Sequence, residues 1–197
     1  MKSVAIGGSV LIRLMVLFGT VAALAIPDMA AAEDLRPPVV QDAAGEPKRI
    51  SGLWPLTRSV EAVQNDATRA DPNEIMKMAL RLYDIERDDD AALWGCIGVV
   101  RGLIVARAAP SPARNSEYSV LEMALGVVLS EPLAQDPPKW QSILDRAAVW
   151  TDTHEFDMSA YAPQVKPTPE NVAAWKSESR AFFDRMRAES QRTSRRR

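Results

Sequence analysis

Wound as a helix, the segment from about Asp90 to Ala108 is apolar on most of its sides, and this limits the folds open to the chain. Leu93, Trp94, Ile97, Val100, Leu103 and Ile104 recur at helical spacing and make one stripe. Gly95, Gly98 and Gly102 fall at i, i+3 and i+7, together on a different face. A glycine inside a helix costs about 1 kcal/mol relative to alanine. Three on one face therefore predict a neighbouring helix in close approach, as small residues permit. A helix apolar on most sides must be covered on most sides, so a helical bundle built around this segment is expected. Arg101 and Arg107 speak against reading it as a membrane span.

The rest of the chain agrees with an all-α fold. Pro and Gly fall at joints, and long alternating β-branched runs are missing. A first helix is predicted over about Leu56 to Ala70. The second has the clearest start: Asp71 as N-cap, Pro72 at the first helical position and Glu74 in the first turn. It carries Ile75, Met76, Ala79, Leu82 and Tyr83 and ends near Arg87. Asp88, Asp89 and Asp90 then suit the positive end of the third helix. A loop over Pro110 to Ser116 leads to a fourth helix, about Glu117 to Ser130, with Leu121, Ala124, Leu125 and Val128 inward. Pro132, Pro137 and Pro138 bracket a connector. Asp136 caps a fifth helix with a stripe of Trp140, Ile143, Leu144, Ala147 and Trp150. Thr151 to Pro167 reads as irregular. Thr168 and Pro169 open a long amphipathic C-terminal helix bearing Val172, Trp175, Phe182, Phe183 and Met186. The expectation is a single helical domain over 55–197, with five core helices and that final one.

The N-terminus reads as an address. Lys2 and Arg13 precede an uncharged apolar run, Leu14 to Ile26, of signal-peptide length and short for a span. Pro27 breaks the run, and Ala30, Ala31 and Ala32 supply the small residues a signal peptidase needs. Cleavage is expected after Ala32; the alternative is an uncleaved anchor. No Arg-Arg pair precedes the run, which points to the Sec route and away from a cofactor loaded in the cytoplasm. No cysteine lies near residue 33 to carry a lipid. With no Asn-X-Ser/Thr acceptor either, the bacterial periplasm is the expected compartment. Residues 33–54, with Pro37, Pro38, Gly45, Pro47 and Gly52, read as an extended linker.

Composition excludes several chemistries. The chain has 24 basic and 26 acidic residues, a net charge of −2, without the basic excess of a nucleic-acid binder. Cys96 is the only cysteine, so no intrachain disulfide can form, and its apolar surroundings suit an inert buried thiol. The only histidine, His154, lies in Asp152-Thr153-His154-Glu155-Phe156-Asp157. With Met158 it could offer soft ligands to copper, but a second His and any metal-site spacing are lacking, so a solvated loop is expected and no metal or other cofactor. Glycine-rich phosphate loops, nucleophile elbows and HExxH are missing from the sequence. Glu117, Glu122 and Glu131 are helix-associated carboxylates, each explained as solvent-facing or capping.

Arg101 is the odd charge in the apolar helix. An unpaired buried guanidinium is costly, so it is expected either to pair with a carboxylate, Glu122 or Asp145, or to bind an anion at a cleft floor. Four tryptophans fall on apolar stripes. The fifth, Trp54, in Gly52-Leu53-Trp54-Pro55-Leu56, either docks the arm on the domain or anchors a partner. The C-terminal helix ends in Arg195-Arg196-Arg197, with Arg185, Arg187 and Arg192 upstream, a basic end suited to an anionic envelope surface or an acidic partner. The functional expectation is an exported helical protein that binds a protein partner in the envelope as an accessory, adaptor, inhibitor or immunity-type module. Trp54, Trp175, Phe182, Phe183, Arg185, Met186 and Arg192 are its candidate contacts. An envelope hydrolase acting on cell-wall polymer is the alternative, and a deep cleft holding two carboxylates near Arg101 would be its mark.

Overall fold

Proline and short polar side chains set where most of the helices begin. The computed structural model describes residues 50–194, so the expected signal peptide, most of the linker and the terminal arginines lie outside the described residues. A single 3-10 turn over Ile50–Leu53 leads in. Helix α1, Val60–Asn65, starts where the Ser59 hydroxyl accepts from the Ala62 amide at 3.1 Å. It is shorter than expected: from Asp66 the chain turns, and the amides of Ala67 and Ala70 bond back to Gln64 and Asp66. That early stop frees the Ala67 carbonyl from any helical ladder.

Helix α2, Pro72–Asp84, is capped by Asp71, whose carboxylate accepts from the Asn73 amide at 2.9 Å. It closes through Glu86, a non-glycine residue at φ 62°, with the Arg87 amide reaching back to the Leu82 carbonyl. Helix α3, Asp88–Ala108, begins with the acidic triplet that complements its dipole. Every residue from Ala91 to Val105 is buried. Among the described residues α3 is the one helix long and apolar enough to cross a membrane, and 72% of that apolar window is buried inside this fold.

Helix α4, Pro112–Gln135, extends further at both ends than the sequence suggested. Ser111 and Pro112 form the helix start within what looked like a loop, and Pro132 lies inside the last turn. Helix α5, Pro137–Thr153, is capped by Asp136 through the Lys139 amide at 3.0 Å. After an irregular stretch, α6, Pro169–Ser194, runs antiparallel to α5. Arg180 grips Asp152, and Arg187 grips Asp145 at 2.8 Å. The described residues are all-α, with α2 and α3 the most closely packed pair and α5 against α6 next.

The three glycines of α3 are divided between two neighbours. Gly95 faces Leu125 and Leu129 of α4, and Gly102 faces the ring of Tyr118 on the same helix. Gly98 faces α2, where an added Cβ would sit 3.2 Å from the Met76 backbone nitrogen. So two neighbours share the glycine face of α3, where one was expected: α2 reaches it with backbone, and α4 with the side chains of Tyr118, Leu125 and Leu129. A methyl group at Gly102 would overlap the buried Tyr118 ring. Overpacking of this kind costs about 1–3 kcal/mol, against a gain of about 1 kcal/mol in helix propensity. Gly102→Ala is therefore expected to lower the urea midpoint, while Gly95→Ala, which meets only leucine side chains at 3.3 Å and beyond, should be nearer neutral. The reverse order would contradict this packing.

Candidate functional site

Arg101 sits in the most buried stretch of α3 with only 1% of its surface exposed. No carboxylate pairs with it in the described residues. Both expected partners are engaged elsewhere: Asp145 with Arg187, and Glu122 beside Tyr118. Backbone carbonyls take the guanidinium instead. Nη1 donates to the Ala67 carbonyl freed by the turn after α1, and Nη2 donates to the Glu155 carbonyl at 3.2 Å. The guanidinium carbon lies 4.6 Å from the ring centroids of both Trp150 and Phe156. Aromatic faces attract a cation by their quadrupole and lose little on burial, which gives the charge a home without a counter-ion. Burial pulls its pKa down to about 10, so it stays charged at neutral pH.

Arg101 lines a cavity of about 520 Å³ between the end of α5, the irregular segment after it and the first half of α6. Ile104, Phe156, Val172 and Trp175 supply apolar walls, and Thr151, His154, Lys176 and Ser179 supply polar ones. Two buried polar atoms of lining residues have no hydrogen-bond partner: Nε of Arg101 and Oγ1 of Thr151. Three other polar lining residues bond within the protein. Lys176 donates to the Asp152 carbonyl at 2.9 Å, and Ser179 donates to the Trp175 carbonyl. His154 stacks on Trp150 with centroids 4.4 Å apart, its Nδ1 2.9 Å from the Trp150 carbonyl.

Two carboxylates, Glu155 and Asp157, also line the cavity. The Ser159 hydrogen bonds, helped by Arg69, hold Asp157 below its usual pKa, which suits a permanent anion and not a general acid. Met158 is buried in a small cluster with Val105, Ala109 and Ala162, apart from the exposed His154 ring. Among the described residues no three His, Cys, Asp or Glu side chains are grouped to share a metal ion. Cys96 is buried, and that burial pushes its thiol up to about 12.

The candidate partner contacts are dispersed. Phe182, Phe183 and Met186 are 4%, 1% and 3% exposed and belong to the main core, so their side chains offer a partner nothing while the helix is docked. Trp54 is half-buried against that core, and Trp175 packs on Phe156 beside the cavity. Only Arg185 and Arg192 of this set are exposed. Sequence reasoning singled out Arg101 and the His154 to Asp157 stretch separately, and the fold joins them. It did not place Thr151, read as the start of an irregular stretch, or Trp175, read as a partner contact, in the lining of one cavity.

Of the three helix-associated carboxylates, Glu117 pairs with Lys77 at 2.6 Å and accepts from Asn73, while the Glu131 side chain lies outside those described. Glu122 departs from expectation. It is 7% exposed, and burial raises its pKa to about 8. The folded protein thus keeps a proton that the unfolded chain, near its ordinary value of 4.5, has released. The unfolded state binds fewer protons across that interval, so stability falls as pH rises from about 4.5 to about 8. The slope from this one group approaches roughly 1.4 kcal/mol per pH unit. Glu122→Gln should remove it: the variant's urea midpoint should exceed that of the wild type at pH 8 by much more than at pH 5. An equal difference at both values would show that Glu122 is ionised in the fold.

The fold and site together define an all-α protein with an arginine-floored, aromatic-walled cleft. No protein-family model, curated protein or solved structure matches this chain.

Proposed function

We propose that this chain is an exported envelope protein that works by binding and not by catalysis, with the Arg101 cleft as its receiving site for an anionic group. The observation that carries the reading is a charged guanidinium, 1% exposed, with no carboxylate partner and with an unused N–H in a residue lining a cavity. A volume of 520 Å³ lies within the roughly 300–1,000 Å³ of ligand pockets. A stable protein–protein contact instead needs about 800 Å² from each partner, which favours a small ligand as the occupant. Glu155 and Asp157 do line the cleft with Arg101, as the hydrolase alternative requires, but Asp157 is held below its usual pKa, which does not suit a general acid.

A protein partner, as an accessory, adaptor, inhibitor or immunity-type module would have, is the second reading. It is favoured by Val120 and Met123, one turn apart on α4 and 45% and 51% exposed, and by Arg185 and Arg192 on α6.

The test sets binding against turnover. Millimolar organic anions should raise the melting temperature of the purified protein, because a ligand that prefers the folded state adds stability. Neutral analogues should not. Dye-labelled cell-wall polymer should release no dye. Release that is lost in Glu155→Gln or Asp157→Asn would replace this reading with the hydrolase.

A further inference from the structure

Resting on the cleft reading, we infer that the site is built closed: Glu155, Phe156 and Asp157 form a flap that occupies the guanidinium until an anion displaces it. Arg101 lines the cavity, yet only 1% of its surface is exposed, so something must leave before a ligand can bond to it. The Ala67 carbonyl on Nη1 belongs to the turn after α1, and the Trp150 ring over the guanidinium belongs to α5. The Glu155 carbonyl, 3.2 Å from Nη2, and the Phe156 ring, 4.6 Å from the guanidinium carbon, come from the irregular segment between α5 and α6. That segment has no helical ladder to break, so it is the piece that can open locally. Its carbonyl stands where an anion's oxygen would, accepting from an N–H that a full negative charge would bond more strongly.

The flap has two firm ends. His154 closes α5, its amide bonded to the Trp150 carbonyl at 3.0 Å. Met158 is 3% exposed and packs in the small cluster with Val105, Ala109 and Ala162. Between these ends Glu155 is exposed and Phe156 and Asp157 are half-buried, so lifting the flap uncovers little apolar surface. Two contacts pin it at Asp157. The amide donates to the Thr68 carbonyl at 3.1 Å, and the carboxylate pairs with Arg69 at 3.4 Å. The Arg69 side chain is 60% exposed and does not line the cavity. Exposed ion pairs hold weakly, which suits a latch that must release.

The test is hydrogen–deuterium exchange and thermal melting of the purified full chain, with benzoate or phenyl phosphate added at millimolar concentration and benzamide as the neutral control. An anion that binds should raise the melting temperature and yet speed exchange of the Asp157 amide, the reverse of ordinary ligand protection. Arg69→Ala should bind that anion about two- to fivefold more tightly, because the latch no longer holds the competent state down. Charge alone predicts the opposite, since the variant loses a cation and frees Asp157 to repel. Anion binding with a slowed or unchanged Asp157 amide, or equal or weaker binding in Arg69→Ala, overturns the flap and leaves the anion-binding cleft standing. If neither anion raises the melting temperature of the wild type or of Arg69→Ala, the cleft reading falls as well.

Discussion

Replacing Arg101 by methionine is expected to lower stability by about 3 kcal/mol and to abolish anion binding together. Methionine fills much of the same volume, so the loss reflects the polar partners left behind. The Ala67 carbonyl, bonded by Arg101 inside the protein, would have no donor, and the Glu155 carbonyl would lose its own. A buried polar group without a partner costs about 1–3 kcal/mol. Against this stands relief from keeping a charge out of water, which can make the removal of a buried ion neutral or even stabilising. The carbonyls tip the balance because they cannot be moved with the mutation. A urea titration of the variant measures the result. Unchanged or increased stability would mean that the fold merely tolerates the guanidinium, which would then be present for its ligand alone. Arg101→Lys separates the roles further: an ammonium keeps the charge but loses the planar fork between the two rings.

The second large effect concerns the C-terminal helix. Phe183→Ala should cost about 3–5 kcal/mol, the usual range for removing a buried aromatic ring. Phe183 is 1% exposed, and Phe182 beside it stands edge-on with centroids 5.4 Å apart. Deletion from Phe182 to Arg197 takes away Met186 as well, and is expected to abolish cooperative thermal unfolding. Loss of partner capture in such a deletion would therefore say nothing about a partner. Arg185→Ala and Arg192→Ala, both at exposed positions, are the informative changes for that question. A deletion that still melted cooperatively near the wild-type temperature would show that α6 is an appendage.

The helices were readable wherever a cap and an apolar stripe agreed. Asp71 with Pro72, and Asp136 with Pro137, mark starts that the structure reproduces. Where two local signals competed, the reading slipped. Pro110-Ser111-Pro112 has the composition of a loop, yet Ser111 followed by proline is also a helix opening, and burial of Tyr118 and Leu121 against α3 favours the opening. The α1 boundary failed for the opposite reason: the pattern continues to Ala70, but the turn at Asp66 supplies a carbonyl to a residue 34 positions away. Arg101 was conspicuous as a charge in an apolar helix, but its partners were not. Backbone carbonyls leave no trace in residue type, and the second lies 54 positions further along. The cleft was hidden likewise, because Phe156 and Trp175 become one wall only once α6 folds back over α5.

The division of the α3 glycines between two neighbours has a consequence for how water reaches the centre of this protein. With α2 against Gly98 and α4 against Gly95 and Gly102, the glycine face of α3 is shielded by two neighbours side by side. Fraying of either neighbour alone leaves the other still packed on that face. Amide protons along Ala91 to Val105 should therefore exchange with deuterium only when the whole assembly opens. Their protection would then report the global free energy of unfolding, while amides around Glu155 and Asp157 would report only the local breathing of the cleft rim.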